Sequence, residues 1–243
     1  DVSYERAGRQ DRVGVFLSLV FRLDRASSLR TDYDSRNDRK RMTYQTYHGS
    51  GTGAYNFSAD VEHSDLGVAT TANGIYYSNR AELGFSHFGT FERDLGGSTS
   101  QRTSLRFGTS LAVADGAFSI GRPIQDSFAI VRAHPSLQGT NIFIVANGRF
   151  STANSGALGT ALQPSLSSYS ERNLLVTAPD APIGTDLGEG SFRLLPGYRS
   201  GYRLTVGSDY MVSVVGRLLG ANGEPIALVA GSAMEEAHPE REP

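Results

Sequence analysis

Five histidines, His48, His63, His87, His134 and His238, are the residues best suited to hold a metal or shuttle a proton near neutral pH. A metal needs two or more of them at a spacing that converges on one point, such as positions four apart on a helix face. No pair here has that spacing, so they read as isolated turn or loop residues and no metal is expected. Asp60 and Glu62 stand two apart and so share a face of any extended segment, an arrangement that could serve acid–base chemistry. On a wet sheet face, solvated carboxylates account for the pair better. Gly49-Ser50-Gly51-Thr52-Gly53 is rich enough in glycine to wrap a phosphate, but no Lys follows and no helix starts there, so it reads as a hairpin tip. There is no Gly-x-Ser-x-Gly elbow and no cysteine, which excludes thiolate ligands, disulfides and Cys nucleophiles. The expectation is a protein with no catalytic site and no cofactor.

Bulk properties narrow the partners. The 243 residues allow one or two domains, and a net charge of −2 gives no general attraction to nucleic acid, which is not expected as a partner. No apolar run approaches the ~20 residues of a membrane-spanning helix; the richest, Ile142 to Ala146 and Ile226 to Ala230, are strand-sized. Spanning strands pass such a scan, because their signal is alternation.

That alternation fills the first half. Residues 13–23 put Val13, Val15, Leu17, Leu19, Phe21 and Leu23 on one side. Tyr55, Phe57, Ala59 and Val61 alternate with Asn56, Ser58, Asp60 and Glu62. Ala81, Leu83 and Phe85 oppose Arg80 and Glu82, and Leu105, Phe107, Leu111 and Val113 oppose Arg102 and Arg106. Weaker strands are expected near 28–36, 40–48 and 69–78. Three of the segments reach the ~9–11 residues a tilted membrane strand needs. Their charged faces suit a water-filled lumen, although a soluble sheet with one wet side gives the same pattern. On the membrane reading, Val15, Leu17, Leu19, Tyr55, Phe57, Val61, Leu83, Phe85, Leu105 and Phe107 face lipid. Asn56, Ser58, Asp60, Glu62, Arg80, Glu82, Arg102 and Arg106 face the lumen. About eight strands are expected, counting Asp1 to Tyr4 as the tail of one, and whether eight close alone is open.

After Asp115-Gly116 the pattern shortens and prolines enter. Short apolar runs at 128–131, 142–146, 173–177, 191–195, 202–206, 210–219 and 226–230, with tight-turn dipeptides Asn147-Gly148 and Asn222-Gly223, predict a small β-sandwich. The tail from Glu235 is acidic, bears Pro and has no apolar partner. The expected class is all-β. Residues 1–122 form a partial transmembrane antiparallel barrel, 123–208 a β-sandwich, and 209–243 the truncated start of a further domain.

Four segments, in order, resemble the bacterial fimbrial usher family: Val15-Phe16-Leu17-Ser18-Leu19; Ser119 to Val131 (SIGRPIQDSFAIV); Ser168-Tyr169-Ser170-Glu171-Arg172-Asn173 with Ala178 to Pro182; and Leu219 to Ile226 (LGANGEPI). The likeness covers most of the chain, but the stretch Thr152 to Pro164 and the segment Tyr198 to Gly201 depart from the family pattern. The resemblance implies the end of an outer-membrane assembly channel of roughly two dozen strands, followed by a periplasmic domain. Its implied partners are periplasmic chaperone–fimbrial subunit complexes and outer-membrane lipid, with subunit strands exchanged by β-addition and no small-molecule substrate. Tyr169, Arg172 and Asn173 carry a family motif, either pinning a loop or touching the partner. A soluble or surface-attached adhesin or carbohydrate-binding module is the alternative.

Overall fold

The computed structural model describes residues 2–7, 10–92, 99–146, 150–182, 187–188, 190–208, 219–220 and 222–225. Eight strands make one antiparallel sheet in sequence order: β1 (Val2–Ala7), β2 (Gln10–Arg22), β3 (Ser27–Asp34), β4 (Arg39–His48), β5 (Tyr55–Ser64), β6 (Gly67–Tyr77), β7 (Glu82–Glu92) and β8 (Thr99–Gly108). Among the described residues, β1 and β8 are both edges, so the sheet is open. This meander follows from the turns. Asp24 caps the β2–β3 hairpin, its Oδ1 accepting from the amides of Ala26 at 2.6 Å and Ser27 at 2.7 Å. Gly67 opens β6 at φ 137, and a Cβ there would sit 2.1 Å from the Phe91 carbonyl oxygen, so only glycine fits.

β9 (Ser110–Ala114) and β10 (Ala117–Gly121) pair with each other as a separate hairpin. The large sheet ends at Gly108, so the alternation from Leu105 to Val113 is divided between β8 and β9. The break falls at Thr109, whose hydroxyl donates to the carbonyls of Arg80 and Gly121 at 2.8 and 3.1 Å. The inner side of this hairpin, Ala112, Ala114 and Ala117, packs with Ile130 and Leu162.

The remaining strands build the sandwich. One layer is β14 (Thr160–Leu166), β11 (Ser127–Ala133) and β17 (Gly201–Val206) in that order. The other is β13 (Phe150–Asn154), β12 (Phe143–Ala146), β15 (Arg172–Thr177) and β16 (Ser191–Leu194). Val131, Ala161 and Val206 from the first layer meet Ile144, Ala153 and Val176 from the second in one buried cluster. Burying each of the larger aliphatics contributes about 1.5–3 kcal/mol. Pro164 lacks an amide hydrogen and is tolerated because β14 is an edge and its register with β11 shifts between Ser127 and Ala129. Two strands, β13 and β14, arise from Phe150 to Leu166, where the sequence showed no distinct run. Of residues 209–243, the turn at Asn222-Gly223 is described, closed by a bridge between Leu219 and Pro225. The runs at 210–219 and 226–230 fall almost wholly outside the described residues, as do the Asn147-Gly148 turn and the acidic tail.

Candidate functional site: a two-faced sheet and its docked sandwich

Cross-strand partners put their side chains on the same side of a sheet, so the register sorts every residue by face. The row Leu19–Thr31–Met42–Val61–Thr70–Gly89–Gln101 follows from successive pairings. So do His48–Tyr55–Tyr76–Leu83–Phe107 and Thr46–Phe57–Gly74–Phe85–Leu105. All ten apolar candidates lie on this one face. Much of it is open to the surroundings: Leu17 is 51% exposed, Leu83 47% and Leu105 81%. Phe57 leans toward Gly74, where an added Cβ would come within 3.2 Å of its ring, and its centroid is 6.4 Å from that of Tyr44. His48 stacks on Tyr55 at 5.3 Å. Tyr33, Tyr44, Tyr55 and Tyr76 share this face; Tyr47 and Tyr77 lie on the other.

The opposite face carries Asn56, Ser58, Asp60, Glu62, Glu82, Arg102 and Arg106. It is laced by charge: Arg41 meets Asp60 at 2.9 Å, Thr43 donates to the same carboxylate at 2.6 Å, and Arg30 meets Asp32 at 2.9 Å. Asp60 is thus an ion-pair member, and among the described residues no cluster of three metal-ligating side chains occurs. Phe16, Val20 and Phe88 interrupt the polar pattern of this face.

Arg80, grouped by alternation with the lumen-facing residues, is placed differently. It belongs to the turn before β7, and the strand period does not extend to it. Its guanidinium reaches the sandwich instead, donating to the carbonyls of Ile120 at 2.6 Å and Thr160 at 3.0 Å, to that of Ser155, and to the Ser119 hydroxyl. These partners are neutral, and burial pulls its pKa below the ordinary arginine value. Beside it Asn79 meets Asn154. The Gly49–Gly53 tip does the same work one hairpin away. Thr52 donates its amide to Ser151 O at 2.8 Å, and a Cβ on Gly51 would lie 2.3 Å from that oxygen. Arg122 donates to Thr152 O at 2.8 Å while lying over the Tyr77 ring at 5.7 Å. Burial lowers its pKa, with Glu82 and Tyr77 opposing. Turns at one end of the sheet therefore grip β13 and the start of β14. Alternation cannot reveal such contacts, because turn residues have no period.

The motif residues at the other end of β11 and β14 have separate roles. Asp126 accepts from the Ser168 amide at 2.9 Å and hydroxyl at 2.6 Å. Those bonds, the hydroxyl first, hold its carboxyl below the usual range. Tyr169 is 77% exposed at φ 56, its amide bonded to Pro196 O at 2.7 Å. Arg172 donates to the Ser167 hydroxyl, and Asn173 accepts from Ser191 at 2.6 Å. Tyr169 and Arg172 do not touch one another through any described hydrogen bond; Asn173 sits on the outward side of β15.

No family model matches this sequence, and no curated protein does. Among solved structures, the chain is similar to one in the cryo-EM structure of an E. coli P pilus tip assembly intermediate, PapC-PapD-PapK-PapG in the second conformation. Identity is 14%, the TM-score is 0.49, and the likeness covers 83% of this chain and 24% of that one. The chain thus spans about a quarter of that neighbour's length. A likeness of that size carries no functional weight. What the chain shows by its own structure is an all-β molecule of several antiparallel sheets.

Proposed function

We propose that this chain is the carboxy-terminal part of an outer-membrane fimbrial usher: the last strands of the channel and the first periplasmic domain behind it. The observation that carries the reading is the sorting of strands β2 to β8, with ten apolar candidates on one side and a charged, hydroxyl-rich surface on the other. Strands β2 and β4 to β8 run 10 to 13 residues, enough to cross tilted through the ~25 Å apolar band of such a barrel. A soluble sheet would bury its apolar face on a second layer, whereas among the described residues the sandwich grips turns at the sheet end and much of that face stays exposed. The four usher-like segments support the family, with Ser119 to Val131 spanning the passage from hairpin to sandwich.

On this reading the channel passes folded fimbrial subunits, and the sandwich receives chaperone–subunit complexes. The chaperone strand is then replaced by the next subunit's strand, an exchange of backbone hydrogen bonds that needs no nucleotide or metal. Edges at β1 and β8, open among the described residues, would leave unpaired amides and carbonyls in lipid, so on this reading further strands of the channel complete the wall. The test is extraction of the full-length product from cells. It should remain with outer membranes until detergent is added. Recovery in the soluble periplasm without detergent would contradict the proposal and favour the adhesin reading.

A further inference from the structure

The β9–β10 hairpin has one side covered and one side bare. Ala112, Ala114 and Ala117 pack against Ile130 and Leu162, so the sandwich has already taken the inner side. The outer side presents Leu111 paired with Ile120 and Val113 paired with Phe118, an uncharged apolar surface. Leu111 is 70% exposed, Val113 68% and Phe118 48%. The hairpin cannot fold over to hide it. Its tip is fastened to β17, Arg203 meeting the Asp115 carboxylate at 3.0 Å and its carbonyl at 2.9 Å. Its base is fastened to the sheet rim by Arg80 and Thr109.

We infer that this outer side lies in the periplasmic leaflet of the bilayer, as a rigid apolar foot that seats the sandwich against the membrane surface. The inference rests on the membrane reading above. Lipid is the occupant because the bare side follows directly on the exposed apolar end of the sheet: Leu105 and Phe107 close β8 at 81% and 67% exposure, and Leu111 and Val113 follow just past the break at Thr109. The path from Phe107 to Leu111 is four residues, ~13 Å at most, which keeps the hairpin within the headgroup and upper acyl region. An apolar side flanked by Ser110 and Asp115 suits that boundary, where surface-lying segments bury their apolar face ~5–10 Å deep.

The test uses the complete membrane-inserted protein with single cysteines at Phe107→Cys, Phe118→Cys, Val113→Cys and Asn56→Cys. Labelling is read over the unsubstituted protein, since this chain itself carries no cysteine. A membrane-impermeant maleimide and a lipid-dissolved maleimide are compared in isolated outer membranes opened to both sides. The inference expects positions 107, 113 and 118 to be labelled from lipid and protected from the aqueous reagent, with position 56 the reverse. Position 107 labelled from lipid but 113 and 118 from water would overturn the foot while leaving the barrel standing. Protection of 113 and 118 from both reagents would overturn it in favour of a protein cover. Aqueous labelling at 107 as well would overturn the membrane reading itself.

Discussion

Asn79 and Asn154, 75 residues apart, hold each other by three hydrogen bonds: the Asn79 amide group donates to the carbonyl and side-chain oxygens of Asn154 at 2.9 Å each, and the Asn154 backbone amide donates to Asn79 Oδ1 at 2.8 Å. One turn of the sheet thereby recognises one strand end of the sandwich in both directions. Arg80, next in sequence, adds carbonyl acceptors on β10, β13's end and β14. These two side chains, the backbone at Gly51 and Thr52, and Arg122 between Tyr77 and Thr152 hold the sandwich to the end of the sheet.

Removing the pair should loosen the docking without unfolding either part. Asn79→Ala deletes bonds each worth about 0.5–1.5 kcal/mol net and strands the Asn154 amide, so a loss of about 1–3 kcal/mol in the stability of the docked state is expected. Limited proteolysis should cut faster between Gly121 and Ser127 in Asn79→Ala and Arg80→Ala, while the sheet's resistance is unchanged.

Two neighbouring glycines should behave differently. Gly51 and Gly53 both have positive φ, of 94 and 84, so alanine strains either by about 1–2 kcal/mol. Only at Gly51 does the new Cβ strike the Ser151 carbonyl; nothing lies within 4 Å at Gly53. Gly51→Ala should therefore displace the sandwich and mimic Asn79→Ala in the proteolysis assay, whereas Gly53→Ala should not.

Acid should release the loop at Ser168. Asp126 has its folded pKa below the ordinary 3.8, so its bonds to Ser168 stabilise the fold fully above that value. The contribution falls as pH drops from 3.8 through the lower folded pKa and is gone beneath it. Hydrogen exchange at the Ser168 amide, read as protection relative to the unfolded chain, should weaken in that acid window. In Asp126→Asn, protection should be lower at neutral pH and should lack that acid step.

Much of the sheet was legible because period two survives tilt and exposure. The segments expected near 28–36, 40–48 and 69–78 emerge as Ser27–Asp34, Arg39–His48 and Gly67–Tyr77. Sandwich runs at 128–131, 173–177 and 202–206 emerge as β11, β15 and β17. The parallel pairing of β11 with β17 was not legible, since their partners, such as Ile130 and Arg203, are far apart in sequence and nothing local marks the choice. Nor was the break at Thr109 visible, because alternation runs through it in phase. The docking role of Asn79 and Arg80 was hidden for a different reason: their partners are mostly backbone carbonyls, which any sequence supplies.

The most direct test of the account compares Phe57→Arg with Asn56→Arg, adjacent residues that the register puts on opposite faces. In the complete protein, Phe57→Arg, set in the periplasmic half of the membrane, should cost about 1–3 kcal/mol more folding free energy in bilayers than Asn56→Arg. Equal tolerance at the two positions, or a larger cost at Asn56, would contradict a sheet whose apolar face meets lipid.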